Sequence, residues 1–246
     1  MKFRIWRGDI DGQNGRYETF EVDVQPGMSV LDALFDIRDK QDDSLAFRFS
    51  CRGAVCGSCA MMINREPRLA CRTQLSTIGK SKGLGLRPFT PLEKPVEWDR
   101  GTEVLIEPLP NLPVLKDLAV DMSRFFEAYR KIKPWIDARV EQKAFSKIMP
   151  DEAQRIEQYT NCILCAACFG ACPVCDSNPE YLGPAALSWE LRFTDDVRCK
   201  DREERMKTAS LAEAVPGCQF VYNCVKVCPK QVAPAKAIGK LKSYIS

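Results

Sequence analysis

The cysteines constrain this chain more than any other feature of its sequence. Its 246 residues include 13 cysteines and no histidine. Without histidine, Cys/His zinc fingers, ordinary haem ligation and Ser-His or Cys-His triads are excluded. The first residues alternate polar and apolar side chains like a strand, so we expect no export signal. Many cysteines in a chain that is not exported indicate metal binding rather than disulfides.

The first cysteine set follows the pattern C-x4-C-x2-C-x11-C. Its members are Cys51, Cys56, Cys59 and Cys71. This spacing is typical of plant-type [2Fe–2S] domains, in which a tight loop wraps the cluster and a fourth thiolate arrives from a distant strand. Gly53 and Gly57 are expected to permit backbone angles and close approaches that a Cβ would block. A structural zinc site is the alternative, but zinc loops usually present paired C-x2-C knuckles.

Two further cysteine runs lie in the second half of the chain. The first run covers residues 162–173 and reads C-x2-C-x2-C-x3-C-P, the spacing of bacterial ferredoxins. The second run covers residues 218–229 and repeats this spacing, except that Val221 stands where the second cysteine belongs. The repetition argues against zinc or disulfide frameworks.

Together the two runs predict a [4Fe–4S] site and a [3Fe–4S] site, because the fourth cysteine of each run ligates the other cluster in two-cluster ferredoxins. The predicted [4Fe–4S] ligands are Cys162, Cys165, Cys168 and Cys228. Three thiolates remain for the other site and suit a [3Fe–4S] cluster, since Val221 cannot supply a fourth; they are Cys172, Cys218 and Cys224.

Two cysteines are left outside these sets, Cys175 and Cys199. The simpler interpretation makes both of them buried or incidental thiols. The alternative is that Cys175 replaces Val221 as a fourth ligand and makes the third cluster [4Fe–4S]. We favour the simpler interpretation, because Cys175 follows Cys172 too closely to reach the iron corner that position 221 normally faces.

The remaining residues predict an α+β chain of two domains. Residues 1–106 are expected to form a β-grasp plant-type ferredoxin domain, with a first hairpin and a helix that starts near Ser29. Later strands are expected at 47–49, at 61–63 with a turn at Glu66-Pro67, and at 104–106. Three prolines within residues 108–113 predict a stiff linker.

Residues 107–246 are expected to form a mainly α-helical, two-cluster domain resembling bacterial ferredoxins. Periodicity predicts helices around 118–131, 135–146, 151–159, 184–193, 202–213 and 233–245. No run approaches the roughly 18 to 20 apolar residues that a membrane span needs.

The end of the chain is basic. Its last 33 residues contain no acidic side chain but five lysines, at 226, 230, 236, 240 and 242. The formal net charge of +3 leaves out the negative charge of clusters and their thiolates. We therefore favour the explanation that these lysines compensate the negative charge of buried clusters. Contact with anionic headgroups or an acidic partner is the alternative. No base-stacking motif accompanies the charge, which argues against nucleic-acid binding.

With these motifs in this order, the chain resembles the iron–sulfur subunits of succinate dehydrogenases and fumarate reductases over nearly its whole length. The resemblance includes these segments: CRGxxCGSC at 51–59, LACRT at 69–73, PLP…PVLKDL at 108–118, NP…GPA at 178–185 and VCPK at 227–230.

The resemblance implies an electron-transfer subunit that has no catalytic residue for the substrate reaction. The implied partners are a flavoprotein subunit with FAD, where fumarate and succinate interconvert, and a membrane anchor that binds quinone and can hold haem b. The implied order of centres is flavin, [2Fe–2S], [4Fe–4S], [3Fe–4S] and quinone. The chain is then expected to lie peripherally at the cytoplasmic face of the inner membrane.

Two departures within the resemblance favour fumarate reduction by menaquinol over succinate oxidation. Residues 173–178 lack the tryptophan pair that ubiquinone-linked succinate dehydrogenases often carry, and Gln219 stands where many of those enzymes have histidine. Lys230 matches a lysine that lies near the quinone headgroup in relatives, so Lys230 and Gln219 are the expected quinone-proximal residues. A solvated or cluster-compensating charge is the alternative role for Lys230.

Three other functions compete with this interpretation. The chain could be the iron–sulfur subunit of another flavin-dependent complex, but it lacks the Cys-Cys-Gly repeats that such subunits often carry. A hydro-lyase with a labile fourth iron would leave the other two clusters unexplained. A free soluble ferredoxin would need neither the linker nor the basic end of the chain.

Overall fold

The computed structural model describes residues 1–80, 97–136 and 147–245. The chain divides into two compact units, of which the first comprises Met1–Met122 and Ile163–Ala171 and the second Ser123–Cys162 and Cys172–Ser246. Residues 107–122, which we expected to open the second domain, therefore group with the first unit. The boundary between residues 106 and 107 stays a prediction.

The first unit contains a five-stranded mixed sheet in the order β2-β1-β5-β3-β4 and a helix. Strands β1 and β5 are parallel, and the other neighbours are antiparallel. Apolar side chains of the helix and the sheet form one core, which confirms the predicted β-grasp fold. The elements are β1 (Lys2–Arg7), β2 (Arg16–Glu21), α1 (Val30–Lys40), β3 (Ala60–Ile63), β4 (Glu66–Leu69), β5 (Glu103–Glu107), β6 (Val114–Lys116) and β7 (Ala119–Val120).

Helix α1 begins where the sequence predicts, at a reciprocal cap. The backbone N–H of Asp32 donates to Ser29 Oγ at 3.3 Å, and the backbone N–H of Ser29 donates to Asp32 Oδ2 at 2.9 Å. Such a capping box satisfies two backbone donors that the first turn leaves without helical partners. The helix then buries Leu31 and Leu34 in the core and leads into the first cysteine loop.

Two local predictions in this unit are wrong. Phe47 and Phe49 form no strand; their rings pack against Phe35 of α1, with centroids 5.4 and 4.6 Å away. The turn between β3 and β4 lies at Asn64-Arg65, both with positive φ, rather than at Glu66-Pro67, which begin β4. A two-residue hairpin of this kind requires left-handed central residues, for which asparagine is well suited.

A buried polar cluster joins that turn to the end of β5. The Glu107 carboxylate is fully buried, lies 2.9 Å from the Arg65 guanidinium and accepts a hydrogen bond of 2.5 Å from the Tyr17 hydroxyl. Burial raises the pKa of Glu107 to about 7, although Arg65 and Tyr17 both act in the opposite direction. The carboxyl therefore takes up a proton more readily in the folded chain than in the unfolded one.

The hairpin of β6 and β7 is attached to the first unit through Asp117. This buried carboxylate pairs with Arg7 at 3.0 Å and accepts hydrogen bonds from the backbone N–H groups of Gly8 and Ala46 at 3.1 and 2.9 Å. The backbone N–H of Asp117 also donates to Gly8 O. These four interactions explain why the hairpin packs with the sheet.

The described part of the second unit is mainly helical. Helix α6 is buried on nearly all sides, including its charged residues Glu190 and Arg192, and packs against α2, α3, α7 and α9. The helices are α2 (Ser123–Lys131), α3 (Pro150–Thr160), the short α4 (Ala167–Gly170) of the first unit, α5 (Pro173–Ser177), α6 (Gly183–Thr194), α7 (Arg202–Ser210), α8 (Asn223–Lys226) and α9 (Pro234–Ile245).

The predicted helices near 151–159, 184–193 and 233–245 are confirmed to within two residues. The helix predicted over 118–131 begins only at Ser123, because residues 119 and 120 form β7, and the one predicted over 202–213 ends at Ser210. The helix predicted over 135–146 falls, from residue 137 onward, outside the described residues. Among the described helices, none is long and apolar enough to cross a membrane.

Candidate metal centres

The structure places the four cysteines of the first set in the segments that follow α1 and β4. The loop after α1 carries Cys51, Cys56 and Cys59, and Cys71 follows β4. The backbone N–H of Cys51 lies 3.5 Å from Cys56 Sγ, and the thiol of Cys59 is within hydrogen-bonding reach of Cys71. Burial raises the pKa of Cys59 to about 12. Burial also acts to raise the pKa of Cys56, but hydrogen bonds from Ser58 and Cys51 outweigh it and lower this pKa to about 6.

The backbone of this loop surrounds one sulfur with donors. Three N–H groups, those of Gly53, Val55 and Cys56, each lie 3.3 Å from Cys51 Sγ. Successive N–H groups can converge in this way because Arg52 and Ala54 adopt left-handed conformations, with φ of 54° and 57°. Such concave arrangements of N–H groups stabilise anions, including iron–sulfur clusters. The loop therefore fits a thiolate-bound [2Fe–2S] cluster.

The sequence predicts that Gly53 and Gly57 are both needed for the conformation of this loop. The structure supports this for Gly57 and not for Gly53. Gly57 has φ of 75°, and a Cβ there would lie 2.8 Å from Cys165 Cβ and 2.9 Å from Ile163 O. Gly53 has no left-handed φ, and a Cβ there would meet only Cys51 O at 3.7 Å, an ordinary contact. The expectation for Gly53 is therefore wrong.

The two ferredoxin-like runs fold alike although they differ at their second position. Left-handed residues occupy the same places in both, Leu164 and Ala166 in the first and Phe220 and Tyr222 in the second. In each run a four-residue helix follows, α4 in the first and α8 in the second. The loop around Val221 therefore has the same conformation as the loop around Cys165, and the Val221 side chain is 46% exposed.

The predicted [4Fe–4S] ligands are divided between the units, and their grouping stays a prediction. Cys165 and Cys168 belong to the first unit, and Cys162 and Cys228 to the second. A backbone donor, the N–H of Val232, lies 3.3 Å from Cys228 Sγ.

The three cysteines of the third set line one cavity in the second unit, together with Val221. The backbone N–H of Phe220 donates to Cys218 Sγ at 3.4 Å. Burial raises the pKa of Cys224 to about 12, against backbone donors from Ala235 and Val225. Sulfur atoms that face one cavity and receive N–H donors fit ligation of a cluster. Within the described residues, no group of three Cys, Asp or Glu side chains is placed to hold a single metal ion.

Two further buried side chains lie beside this set. The Cys175 thiol, which is fully buried in α5, is the largest influence lowering the pKa of Cys172 to about 7. Tyr181 is buried and lines the same cavity, and burial above all raises its pKa far above the usual range. Nothing in the sequence marks Tyr181, because it lies between α5 and α6, outside the predicted helices.

The other candidate residues lie at different places in the second unit. Gln219 is exposed and lines the cavity of the third set, and Lys230 is half-buried after Cys228-Pro229. Cys199 is nearly buried among charged side chains, contacts no predicted ligand in the described interactions, and has its pKa raised by burial. Lys240 of the basic end pairs with Asp195 at 2.6 Å, so a carboxylate rather than a cluster balances this lysine.

Comparisons with known proteins agree with this architecture. Residues 2–127 match the family described as a 2Fe-2S iron-sulfur cluster binding domain, and residues 154–229 match the 4Fe-4S dicluster domain. The chain is 37% identical over 250 residues to the fumarate reductase iron–sulfur subunit of Haemophilus influenzae, covering 96% of this chain and 89% of that one.

Similarity to succinate dehydrogenases is of the same order. The chain is 35% identical over 249 residues to the succinate dehydrogenase iron–sulfur subunit of Coxiella burnetii, covering 99% of this chain and 96% of that one. A chain of the solved Mycobacterium smegmatis Sdh1 complex in the apo form superposes with a TM-score of 0.83 at 25% identity, covering 99% of this chain and 94% of that chain.

The β-grasp unit with its cysteine loop and the dicluster domain define an iron–sulfur protein that carries both plant-type and bacterial-type cluster motifs. More particularly, the chain belongs to the family of the iron–sulfur subunits of fumarate reductases and succinate dehydrogenases. The resemblance read from the sequence is confirmed.

Proposed function

We propose that this chain carries a [2Fe–2S], a [4Fe–4S] and a [3Fe–4S] cluster on the three predicted cysteine sets. In this role it relays electrons between a flavoprotein subunit with FAD and a quinone site in a membrane anchor. The observation that supports the third cluster is the run at 218–229, which folds like the run at 162–173 but offers valine at position 221. Three thiolates and no fourth side-chain ligand suit a [3Fe–4S] centre.

The chain contributes thiolates, hydrogen bonds and burial. Backbone N–H groups stabilise negative charge at Cys51, Cys218 and Cys228. Hydrogen bonds to sulfur and burial set the potential of an iron–sulfur centre. The clusters, when bound, supply one-electron steps between two-electron chemistry at flavin and at quinone.

An exposed apolar surface next to the third set supports contact with a membrane anchor. Val221 and Tyr222 are 46% and 51% exposed, and both belong to the loop that carries Cys218 and Cys224. Exposed apolar patches of this kind mark interaction surfaces. We place the chain peripherally on the cytoplasmic face of the membrane, with its quinone, and haem b where the anchor holds it, outside this subunit.

We further propose that the complex works as a menaquinol:fumarate reductase. The support is the absence of tryptophan from residues 173–178 and the presence of Gln219 at the cavity of the third set, with Lys230 as the second quinone-proximal residue. Succinate oxidation with the same subunits is the second candidate, because relatives of both kinds are similar to this chain to nearly the same degree.

Low-temperature EPR on the anaerobically purified complex tests the cluster assignment. We expect a near-isotropic [3Fe–4S] signal in the air-oxidised sample, lost on mild reduction, followed by a [2Fe–2S] signal on reduction by succinate or dithionite. Two interacting [4Fe–4S] signals without the oxidised signal would overturn the assignment and make Cys175 the fourth ligand.

The direction is tested by two assays on the same membranes. We expect faster oxidation of a reduced menaquinone analogue by fumarate than reduction of a ubiquinone analogue by succinate. The reverse ratio would establish succinate oxidation as the main activity. Co-purification of subunits without FAD would instead contradict the proposed partners.

A further inference from the structure

We propose that the second unit contains a binding site for a phosphoryl group, in a cavity walled by α3, the end of α6, α7 and α9. The site takes either inorganic phosphate or the phosphate of a small monoester. The residues that line this cavity include no predicted cluster ligand, so the inference does not depend on the cluster assignment.

The cavity is large enough for such a group, and most of the side chains that line it are charged or polar. Its volume is about 290 Å³, close to the lower end of the range for sites that bind small molecules, roughly 300–1,000 Å³. Three cationic groups lie on its wall, those of Arg155 in α3, Arg202 in α7 and Lys240 in α9. Asp195 and Asp196 lie on the same wall, so the charge available for a ligand depends on how these two carboxylates are paired.

Other side chains of the unit already balance both carboxylates. Asp195 pairs with Lys240, with their charged atoms 2.6 Å apart. Asp196 pairs at 3.0 and 2.7 Å with two arginines that are not among the residues lining this cavity, Arg192 and Arg198. The two carboxylates therefore use the charge of Lys240, but not the charges of the two arginines on the wall.

These two arginines carry the positive charge that is left for a ligand. The Arg202 guanidinium lies 4.9 Å from the centre of the Tyr244 ring and 3.5 Å from Thr194 O, and no carboxylate of the described residues pairs with it. Arg155 pairs with Asp151 at 3.4 Å, but both side chains are more than half exposed. Exposed pairs of this kind contribute little, so both guanidinium groups are available to an anion.

The Thr194 hydroxyl, at the end of α6, points independently to a ligand. Thr194 lines the cavity and is 3% exposed, and within the described part of the chain its Oγ1 has no hydrogen-bond partner. A hydroxyl in a helix can donate to the carbonyl one turn earlier, as Ser188 of the same helix does to Pro184 O at 2.8 Å. Because a buried hydroxyl without a partner is destabilising, a ligand that accepts from Thr194 would be favoured.

These donors favour a phosphoryl group over a carboxylate. A phosphate presents at least three strong acceptor oxygens, whereas the two oxygens of a carboxylate can be satisfied by a single guanidinium. Two guanidinium groups and one hydroxyl, which come from three different helices, match the larger number of oxygens. The Cys199 thiol on the same wall adds no negative charge at neutral pH, since burial raises its pKa.

The test is isothermal titration calorimetry of the purified complex with inorganic phosphate, in a chloride buffer of constant ionic strength. We expect Arg202→Gln to weaken phosphate binding about tenfold, because a hydrogen bond between charged groups is lost. Arg130→Gln is the matched control and should bind as wild type does, since Arg130 is also an exposed arginine of the second unit but does not line the cavity. Equal affinity in the two variants, or no binding by wild type at millimolar phosphate, would overturn the proposal.

Thr194→Val separates the binding role of the hydroxyl from a role in folding. Because the hydroxyl has no partner among the described residues, the variant should unfold at the same temperature as wild type, or a higher one, when phosphate is absent. It should bind phosphate about threefold more weakly, because one hydrogen bond to the ligand is lost. A lower unfolding temperature without phosphate, or an unchanged affinity, would overturn the role of Thr194.

The same calorimetry with glycerol 3-phosphate and with succinate identifies the class of ligand. Tighter binding of glycerol 3-phosphate than of inorganic phosphate, with the same dependence on Arg202, assigns the site to a phosphate monoester, and the opposite order assigns it to free phosphate. Succinate binding should not change in Arg202→Gln. A loss of succinate affinity in this variant as large as the loss for phosphate would overturn the preference for a phosphoryl group.

Discussion

The cysteine loop of the first unit and the cysteine cavity of the second unit stabilise their thiolates by different means. In the loop, three backbone N–H groups converge on Cys51 Sγ, and Cys51 itself is exposed. In the cavity, Cys218 Sγ accepts one backbone N–H, from Phe220, and buried side chains such as Tyr181 line the space around it. Both arrangements stabilise negative charge on sulfur.

The difference determines which substitutions can act on each centre. Backbone donors depend on φ and ψ, so only residues that permit the loop conformation matter there. The packing of the cavity depends on the identity of single buried residues. The loop should therefore tolerate most changes of side chain outside its cysteines, whereas the cavity should respond to the substitution of one residue that lines it.

The largest expected effect is a change of cluster type in the cavity. Val221→Cys restores a fourth thiolate in a run that already has the fold of the complete one, so we expect the oxidised [3Fe–4S] EPR signal to be replaced by that of a reduced [4Fe–4S] cluster. Val197→Cys is the control, because Val197 lies in the same unit, has a similar exposure of 42% and belongs to neither run. An unchanged signal in Val221→Cys would show that position 221 does not face the cluster.

A large effect is also expected from one glycine of the loop. Gly57→Ala places a Cβ within 2.8 Å of Cys165 Cβ at a φ of 75°, which should cost about 2–4 kcal/mol and reduce [2Fe–2S] occupancy. Thermal unfolding and the iron content of the purified complex measure both.

Gly53→Ala in the same loop is the matched comparison for that variant. Its Cβ would meet only Cys51 O at 3.7 Å, so a change within about 1 kcal/mol is expected. Equal stability and iron content in the two variants would contradict the argument that conformation, rather than side chains, holds this loop together.

An intermediate effect is expected from Glu107, which belongs to the sheet of the first unit and not to its cysteine loop. The pKa of Glu107 rises from its ordinary value of 4.5 to about 7, so the folded state binds this proton more tightly than the unfolded state does. Stability should fall as the pH rises through the window from about 4.5 to about 7, by the order of 1–3 kcal/mol.

Glu107→Gln should reduce that slope, as measured by denaturant unfolding of the purified complex between pH 5 and pH 8, while leaving the [2Fe–2S] EPR line shape unchanged. The slope that remains is expected from Glu190, because burial raises its pKa to about 7 as well. Glu21→Gln, at an exposed position of β2, is the control and should retain the full slope. An equal slope in Glu107→Gln and in the control would place the titrating group elsewhere.

The smallest effect is expected at Val55, whose side chain is 66% exposed while its N–H donates to Cys51 Sγ. Val55→Ala retains the donor, so the [2Fe–2S] midpoint should move by less than about twofold in the ratio of reduced to oxidised cluster. A larger shift would contradict the distinction between the backbone donors of the loop and the side-chain packing of the cavity.

The sequence was sufficient wherever a repeated local rule determines the structure. Cysteine spacing, the cap at Ser29 and the alternation of β1 depend on residues close together in the chain, and the structure agrees with the latter two predictions. The cysteine ligand sets themselves remain predictions.

The sequence was insufficient where a distant contact decides the conformation. Phe47 and Phe49 alternate like a strand but have no neighbouring strand, and the Phe35 ring holds them instead. Residues 107–122 resemble a linker because of their prolines, yet Asp117 joins them to the first unit through Arg7. Tyr181 could not be found because its place at the cavity depends on packing against Gly217, which is 36 residues away in the chain.

The missing side chain at Gly57 also affects how far an electron must travel. Electrons pass between protein-bound centres by tunnelling, at a rate that falls steeply as the barrier between donor and acceptor widens. Gly57 lies between two predicted [2Fe–2S] ligands, Cys56 and Cys59, and its backbone approaches Cys165, a predicted [4Fe–4S] ligand, closely enough to leave no room for a methyl group. In the proposed arrangement of ligands, a side chain at this position would therefore widen the barrier between the first two centres.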